Sequence, residues 1–270
     1  MAELNADVDP RPVVTSDFDI ARGDFTRGRA PDVHSSSDAY AERFSGRAGA
    51  YLLAVQSKLV LELASPWRDG SVLEVGGGHG QLVGPMLEAG YDVTLHGSIE
   101  ACRSRPDRLV GPERYRFVCG PMMKLPVADA SYDVVVAIRL LAHVQDAPKL
   151  VSELCRVARH AVIVDFASAV GFNALAPMLF KFKRKLEGNT RRFLLRRPSE
   201  VKALFSGQGW TRMQSRGQFV SPLAAHRLLG RPSLSALIEW PPRALGLTDR
   251  LGSPIILRAE PGGTAEGRSA

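Results

Sequence analysis

From Leu52 onward the apolar positions follow two alternating rhythms. Leu52, Val55, Leu59 and Leu63 recur at steps of three or four, which is the spacing of one helix face. Asp38 stands where it can cap this helix, and Pro66 with Asp69-Gly70 ends it. Short apolar runs then read as strands at Ser71 to Val75, Asp92 to Leu95, Arg116 to Val118, Asp133 to Ile138 and Ala161 to Phe166. The fourth is a continuous β-branched run, the pattern of a parallel strand buried on both faces. Helices fall between them. One runs from about Gln81 to Gly90; another is capped by Asp146, carries Pro148 in its first turn and turns Leu150, Leu154 and Val157 inward.

A further helix opens at Pro198-Ser199 and closes around Gly207 to Gly209, and strands at Thr211 to Val220 and Ser253 to Arg258 follow. Strands alternating with helices predict an α/β fold, a doubly wound, mostly parallel seven-stranded sheet whose ligand sits beyond the carboxyl ends of the strands. Residues 39–260 read as one domain, with a disordered polar leader over 1–38 and a disordered tail over 261–270. Two excursions interrupt the alternation, about 167–197 and 222–251, and both are expected to shape the substrate side. The helical stretches of the second are expected to break at Pro232 and at Pro241-Pro242.

Composition adds little to this except where charge collects. The 270 residues are 45% hydrophobic, enough for one large core. No basic, apolar and cleavable segment opens the chain, and Cys102, Cys119 and Cys155 lack the spacing of a zinc or redox site, so a cytoplasmic protein is expected. The net charge of +7 comes largely from Lys181, Lys183, Arg184, Lys185, Arg191, Arg192, Arg196 and Arg197, against Glu187 alone. This segment fits a solvated basic face over a packed stripe, or a surface helix that brings 172–197 to an anionic membrane. The apolar stretch Ala161 to Phe180 is long enough for a span, but it holds Asp165, Gly171, Asn173 and Pro177 and begins as a strand.

The densest chemical signal is Val72-Leu73-Glu74-Val75-Gly76-Gly77-Gly78-His79-Gly80, a strand ending in an acid and opening into a glycine turn before a helix. Glycines at 76, 78 and 80 permit positive φ and let a ligand approach the backbone closely. The spacing is G-x-G-x-G, unlike the G-x-G-x-x-G of dinucleotide enzymes, and Glu74 suits an ammonium- or sulfonium-bearing ligand better than a phosphate. That argues against a nicotinamide dehydrogenase.

In order along the chain stand Phe117-Val118-Cys119-Gly120-Pro121 with Leu125-Pro126, Ser131-Tyr132-Asp133-Val134-Val135, Leu141-Ala142-His143-Val144-Gln145-Asp146 and Glu153-Leu154-Cys155-Arg156-Val157. With the glycine turn, these motifs resemble class I S-adenosylmethionine-dependent methyltransferases of the Rossmann-like fold, especially the group that includes the ubiquinone and menaquinone methylases. The resemblance covers Tyr40 to Phe166. It implies that Glu74, Gly76, Gly77, Gly78 and Gly80 hold the methionine end and sugar of S-adenosylmethionine, and that Met122, beside Pro121, lines the adenine pocket.

Two positions depart from the family pattern. Gly97 and Pro121 stand where the family usually carries acids for the ribose and near the adenine, leaving Ser98 or Glu100 as the candidate ribose contact. His143 matches a position close to the transferable methyl, as a general base or as a packing residue. Arg139 can orient the cofactor carboxylate or an anionic substrate, or form an ordinary ion pair. His79 reads as loop filler. Tyr40, Arg43 and Phe44 are candidates for a cover over the cofactor, and Glu187 to Arg191 and Phe219 to Arg227, with His226, for the acceptor site.

The chemistry expected is in-line methylation of an oxygen, nitrogen or carbon on a small or lipid-like metabolite, without a metal. The competing readings are a non-catalytic cofactor-binding module, motivated by Gly97 and Pro121, and a nucleic-acid methyltransferase, motivated by the basic segment. Against nucleic acid, Ile138-Arg139-Leu140-Leu141 follows the fourth strand in place of a base-reading motif.

Overall fold

The computed structural model describes residues 30–171 and 194–263. Its strands are β1 (Ser71–Val75), β2 (Asp92–Gly97), β3 (Arg116–Cys119), β4 (Tyr132–Ala137), β5 (Ala158–Phe166), β6 (Arg212–Gly217) and β7 (Ile255–Glu260). They form one sheet in the order β3-β2-β1-β4-β5-β7-β6. Pairing is parallel from β3 to β5, and β7 runs antiparallel to both of its neighbours. The expected seven-stranded, mostly parallel α/β sheet is therefore what the chain forms.

Alternating side chains divide the core into two layers, one on each face of the sheet. Val72, Val134 and Val136 pack with Val60, Leu63 and Met86 on one face. Leu73, Val75, Val135 and Ala137 pack with Leu150, Leu154, Phe205 and Trp210 on the other. The helices are α1 (Pro31–Ser35), α2 (Asp38–Ala41), α3 (Gly46–Ala64), α4 (Val83–Glu88), α5 (Ser104–Val110), α6 (Ala147–Val157), α7 (Pro198–Ser206), α8 (Leu223–Leu229), α9 (Pro232–Ala244) and α10 (Thr248–Leu251). In α6 the Asp146 side chain accepts the Lys149 N–H at 3.1 Å, and Leu150, Leu154 and Val157 are fully buried, as the pattern predicts.

The start of the chain departs from the expectation. Ser37, not Asp38, caps α2 by accepting the Tyr40 N–H at 3.2 Å, while Asp38 pairs with Arg105 and Arg108. The long helix α3 begins only at Gly46, because Ser45 is extended and Gly46 turns left-handed at φ 71°. Order also reaches into the stretch read as a disordered leader. Asp32 and Ser35 of α1 are buried, a tertiary contact that composition does not reveal.

Pro241 and Pro242 lie inside α9 and do not break it. Their carbonyls still accept from Leu245 and Leu247, at 3.1 and 2.8 Å, so near a helix end the two rings remove only their own N–H bonds. Lys181 to Arg192 lie outside the described residues, and with them most of the proposed membrane face. Arg196, where the chain is described again, donates to the Val144 carbonyl at 3.3 Å. Among the described residues, no helix is long and apolar enough to cross a membrane.

Candidate active site

Strand order reverses between β1 and β4, which opens a crevice at their carboxyl ends. The glycine turn lies there. Gly76 and Gly80 have φ of 70° and 74°, conformations that a side chain resists. Gly78 does not, contrary to the expectation; it is required for space. A Cβ on Gly78 would fall 2.5 Å from Ser36 Cβ and 2.9 Å from the Cys102 carbonyl oxygen, and one on Gly77 would fall 2.3 Å from the Glu74 carboxyl carbon.

Glu74 is buried beneath this turn, and its Oε2 has no hydrogen-bond partner among the described residues. Burial raises its pKa to about 8, with Arg139 opposing. A carboxyl withdrawn from water keeps its proton below about pH 8, and a cationic donor beside it would favour the carboxylate. The ammonium end of an amino-acid ligand is such a donor, so the residues present fit S-adenosylmethionine.

Moving along the sheet edge, the end of β2 offers backbone rather than side chain. Gly97 is buried, the Ser98 N–H donates to Asp32 Oδ2 at 2.6 Å, and Ser98 Oγ is buried without a partner among the described residues. Glu100 is exposed. At the end of β3, His96 Nε2 lies 2.8 Å from the Gly120 carbonyl, Pro121 is exposed, and Met122 packs into the core beside Leu125. This wall is clamped from α6. Glu153 accepts the Leu125 N–H at 2.5 Å, while Arg156 donates to the Leu125 and Val127 carbonyls at 3.1 and 3.0 Å. The Glu153-to-Val157 motif thus acts by holding a loop.

Beyond β4, Arg139 adopts φ 60°, a left-handed conformation that costs about 1–3 kcal/mol in a residue with a side chain. Its N–H is held by Asp165 Oδ1 at 2.5 Å, and Asp165 Oδ2 accepts from Gln56 at 2.9 Å. Gln56 in turn accepts from Gln81 at 3.0 Å. Burial pushes Asp165 up to about 6, against the pull of Arg139. The Arg139 guanidinium lies 4.9 Å from the Phe44 ring centre and 5.9 Å from that of Tyr40, with Nη1 buried and without a hydrogen-bond partner among the described residues. Tyr40 is buried and Phe44 half-buried, while Arg43 is exposed.

His79 sits edge-on to both of these rings, at 6.0 and 5.7 Å. Burial, with Arg139 and Arg105 nearby, lowers its pKa to about 3, so it is neutral near pH 7. His143 is half-buried in the single turn Leu141–His143 after β4.

The excursion between β6 and β7 brings a second group to α3. Glu239 accepts the Val220 and Ser221 N–H groups at 2.9 and 2.8 Å, and its Oε1 is 3.3 Å from His226 Nε2, with both side chains fully buried. The Phe219 ring lies 4.9 Å from His226, tilted by 58°, and Tyr51 lies 6.3 Å from the same ring. Burial lowers the His226 pKa, with Glu239 opposing. Glu187 to Arg191 lie outside the described residues.

Sequence reasoning missed Asp32, Gln56, His96, Asp165 and Glu239. An acid ending an apolar strand was visible at Asp165, as it was at Glu74. Asp32 lies in a five-residue helix with no periodicity, and only its tertiary contact marks it.

Residues 73–164 match a family model described as a methyltransferase domain. No curated protein matches the chain. Among solved structures, the chain is similar to magnesium protoporphyrin IX methyltransferase from Synechocystis PCC 6803 with bound S-adenosylhomocysteine, at 17% identity and TM-score 0.55, covering 91% of this chain and 94% of that one. It is similar to a SAM-dependent methyltransferase from Thermotoga maritima at 17% identity and TM-score 0.53, covering 82% and 91%. It is also similar to a phosphoethanolamine N-methyltransferase from Haemonchus contortus at 15% identity and TM-score 0.55, covering 77% and 52%. The family match runs from β1 to β5 through the glycine turn, so the crevice at the carboxyl ends of β1 and β4 lies within the segment that is similar to a methyltransferase domain.

Proposed function

We propose that the chain methylates a small or amphipathic metabolite, with Glu74 and the glycine turn holding the donor and the Tyr51–Phe219–His226 side of the crevice receiving the acceptor. The observation that carries this reading is Glu74, a buried carboxylate with an orphaned oxygen directly below a turn that only glycine can form. When bound, the sulfonium donor supplies an already activated methyl group and a neutral leaving group. The protein's part is therefore alignment and exclusion of water.

In this reading Glu74 fixes the ammonium, Met122 lies against the adenine, and the rings of Tyr40 and Phe44 cover the crevice. Nη1 of Arg139 takes an oxygen of the donor's carboxylate or of the acceptor. His143 receives the proton when the attacking atom carries one. The motif order similar to the ubiquinone and menaquinone methylases, together with the neighbours named for porphyrin and phosphoethanolamine substrates, supports a small-molecule acceptor.

Calorimetric titration with S-adenosylmethionine, S-adenosylhomocysteine and NAD tests the donor assignment, with Glu74→Ala as control. Binding of the first two in the micromolar range, lost in the variant, is expected. Turnover of labelled donor against amphipathic acceptors then tests the rest. Tight binding without transfer to any acceptor would instead favour a non-catalytic module.

A further inference from the structure

The end of β2 has no room for a side chain. A Cβ on Gly97 would fall 2.5 Å from Cys102 Cβ and 3.0 Å from Phe117 Cζ. A carboxylate nevertheless reaches this place from elsewhere in the chain. Asp32, on α1, is fully buried, and its Oδ2 accepts the Ser98 N–H at 2.6 Å. Its Cβ lies 3.3 Å from where a Gly76 Cβ would be. The carboxylate therefore stands on the glycine turn with one oxygen fixed.

The other oxygen, Oδ1, is buried and has no hydrogen-bond partner among the described residues. Ser98 Oγ and Glu74 Oε2 are orphaned in the same way. Three buried polar groups left open among the described residues at the carboxyl ends of β1 and β2 point to a polar ligand that supplies donors. Their order follows the sheet, with Glu74 at β1, Asp32 and Ser98 at the end of β2, and Met122 beyond β3. If Glu74 takes the ammonium end and Met122 the base, the middle position falls to the sugar. A vicinal diol offers two O–H donors, and a carboxylate is the acceptor that matches them.

We infer that Asp32 is a cofactor-binding residue, carried in by α1, whose carboxylate accepts the sugar hydroxyls of the donor where β2 presents only Gly97. This rests on the donor assignment proposed above. It also gives the segment before the sheet a role in the site, since α1 carries the residue and Ser36 packs against Gly78.

The test compares wild type, Asp32→Asn and Asp32→Ala by titration with S-adenosylhomocysteine and with its 2′,3′-dideoxy analogue, alongside melting curves of the free proteins. Asn is nearly isosteric and keeps an acceptor for the Ser98 N–H, so it retains the fold if Ala does not. The expected result is an Asp32→Asn loss of about ten- to hundredfold for S-adenosylhomocysteine with little change for the dideoxy analogue. Equal weakening toward both ligands would make Asp32 a purely structural cap on Ser98. Tighter binding of both by the variants would make α1 a plug that competes with the ligand. Either result overturns the inference. Failure of the wild type to bind S-adenosylhomocysteine at all is a different result, which removes the donor assignment before any substitution is made.

Discussion

Along β1, β2 and β3 the carboxyl end of the sheet is built from strand ends, glycine and backbone; along β4, β5 and the 222–251 excursion, side chains from distant stretches are brought together. The first side is set by local constraint. Gly76 and Gly80 need left-handed backbone, and Gly77 and Gly78 need the absence of a Cβ, so few sequences can occupy the turn. The second side depends on partners such as Gln56 with Asp165 or His226 with Glu239, separated by many residues. The difference teaches that a short motif can fix one side through backbone geometry alone, whereas the other is assembled from residues far apart in the sequence.

Substitutions on one side should leave the other intact, and the largest effect is expected at Glu74. Removing one partner of a buried charge pair costs about 2–5 kcal/mol, so Glu74→Gln should weaken S-adenosylmethionine binding by about a hundredfold or more in calorimetry. The same variant should change the pH dependence of stability. The unfolded carboxyl loses its proton near 4.5 and the folded one near 8. Between these values the folded state binds the extra proton, so stability falls as pH rises, by up to about 1.4 kcal/mol per unit. Urea unfolding at stepped pH should show that contribution in wild type and its loss in Glu74→Gln.

Gly78→Ala comes next. The added methyl meets Ser36 Cβ and the Cys102 carbonyl, and an overpacked site costs about 1–3 kcal/mol. Donor affinity should drop by tenfold or more, and a variant that binds normally would show that the turn and α1 move apart more easily than their packing implies. On the other side, Phe219→Ala should lower kcat/KM for the acceptor while leaving the donor Kd within twofold. A matching loss of donor affinity would break the comparison between the two sides. The smallest effect belongs to Asp38→Ala, which removes exposed ion pairs to Arg105 and Arg108 worth about 1 kcal/mol or less. Its melting temperature should barely move.

The same contrast explains what could be read before the fold was known. Glu74, the glycine turn and the Asp146 cap act through spacing along the chain, although Gly78 answers to lack of space rather than to positive φ. The strand ends shifted by a few residues, as at β5, which begins at Ala158 because pairing with β4 continues past the apolar run. Asp133 and Glu153 stood inside motifs, but their work is to bind Ser71 and Arg156, which no linear pattern states. Asp32 was hidden for a further reason. Its helix is one turn long and shows no periodicity, and its burial arises only when the glycine turn is already in place.

Asp165 joins the two sides mechanically. Gln81, just after the turn, donates to Gln56, Gln56 to Asp165, and Asp165 holds the backbone of Arg139. One string of hydrogen bonds therefore runs from the start of α4 to the carboxyl end of β4. A ligand that tightens one end of such a string makes the other end cheaper to order, and linkage demands that the favour be returned by an equal factor. If donor and acceptor hold the two ends of this string, each should raise the affinity for the other, and Gln56→Ala should abolish that coupling in paired titrations.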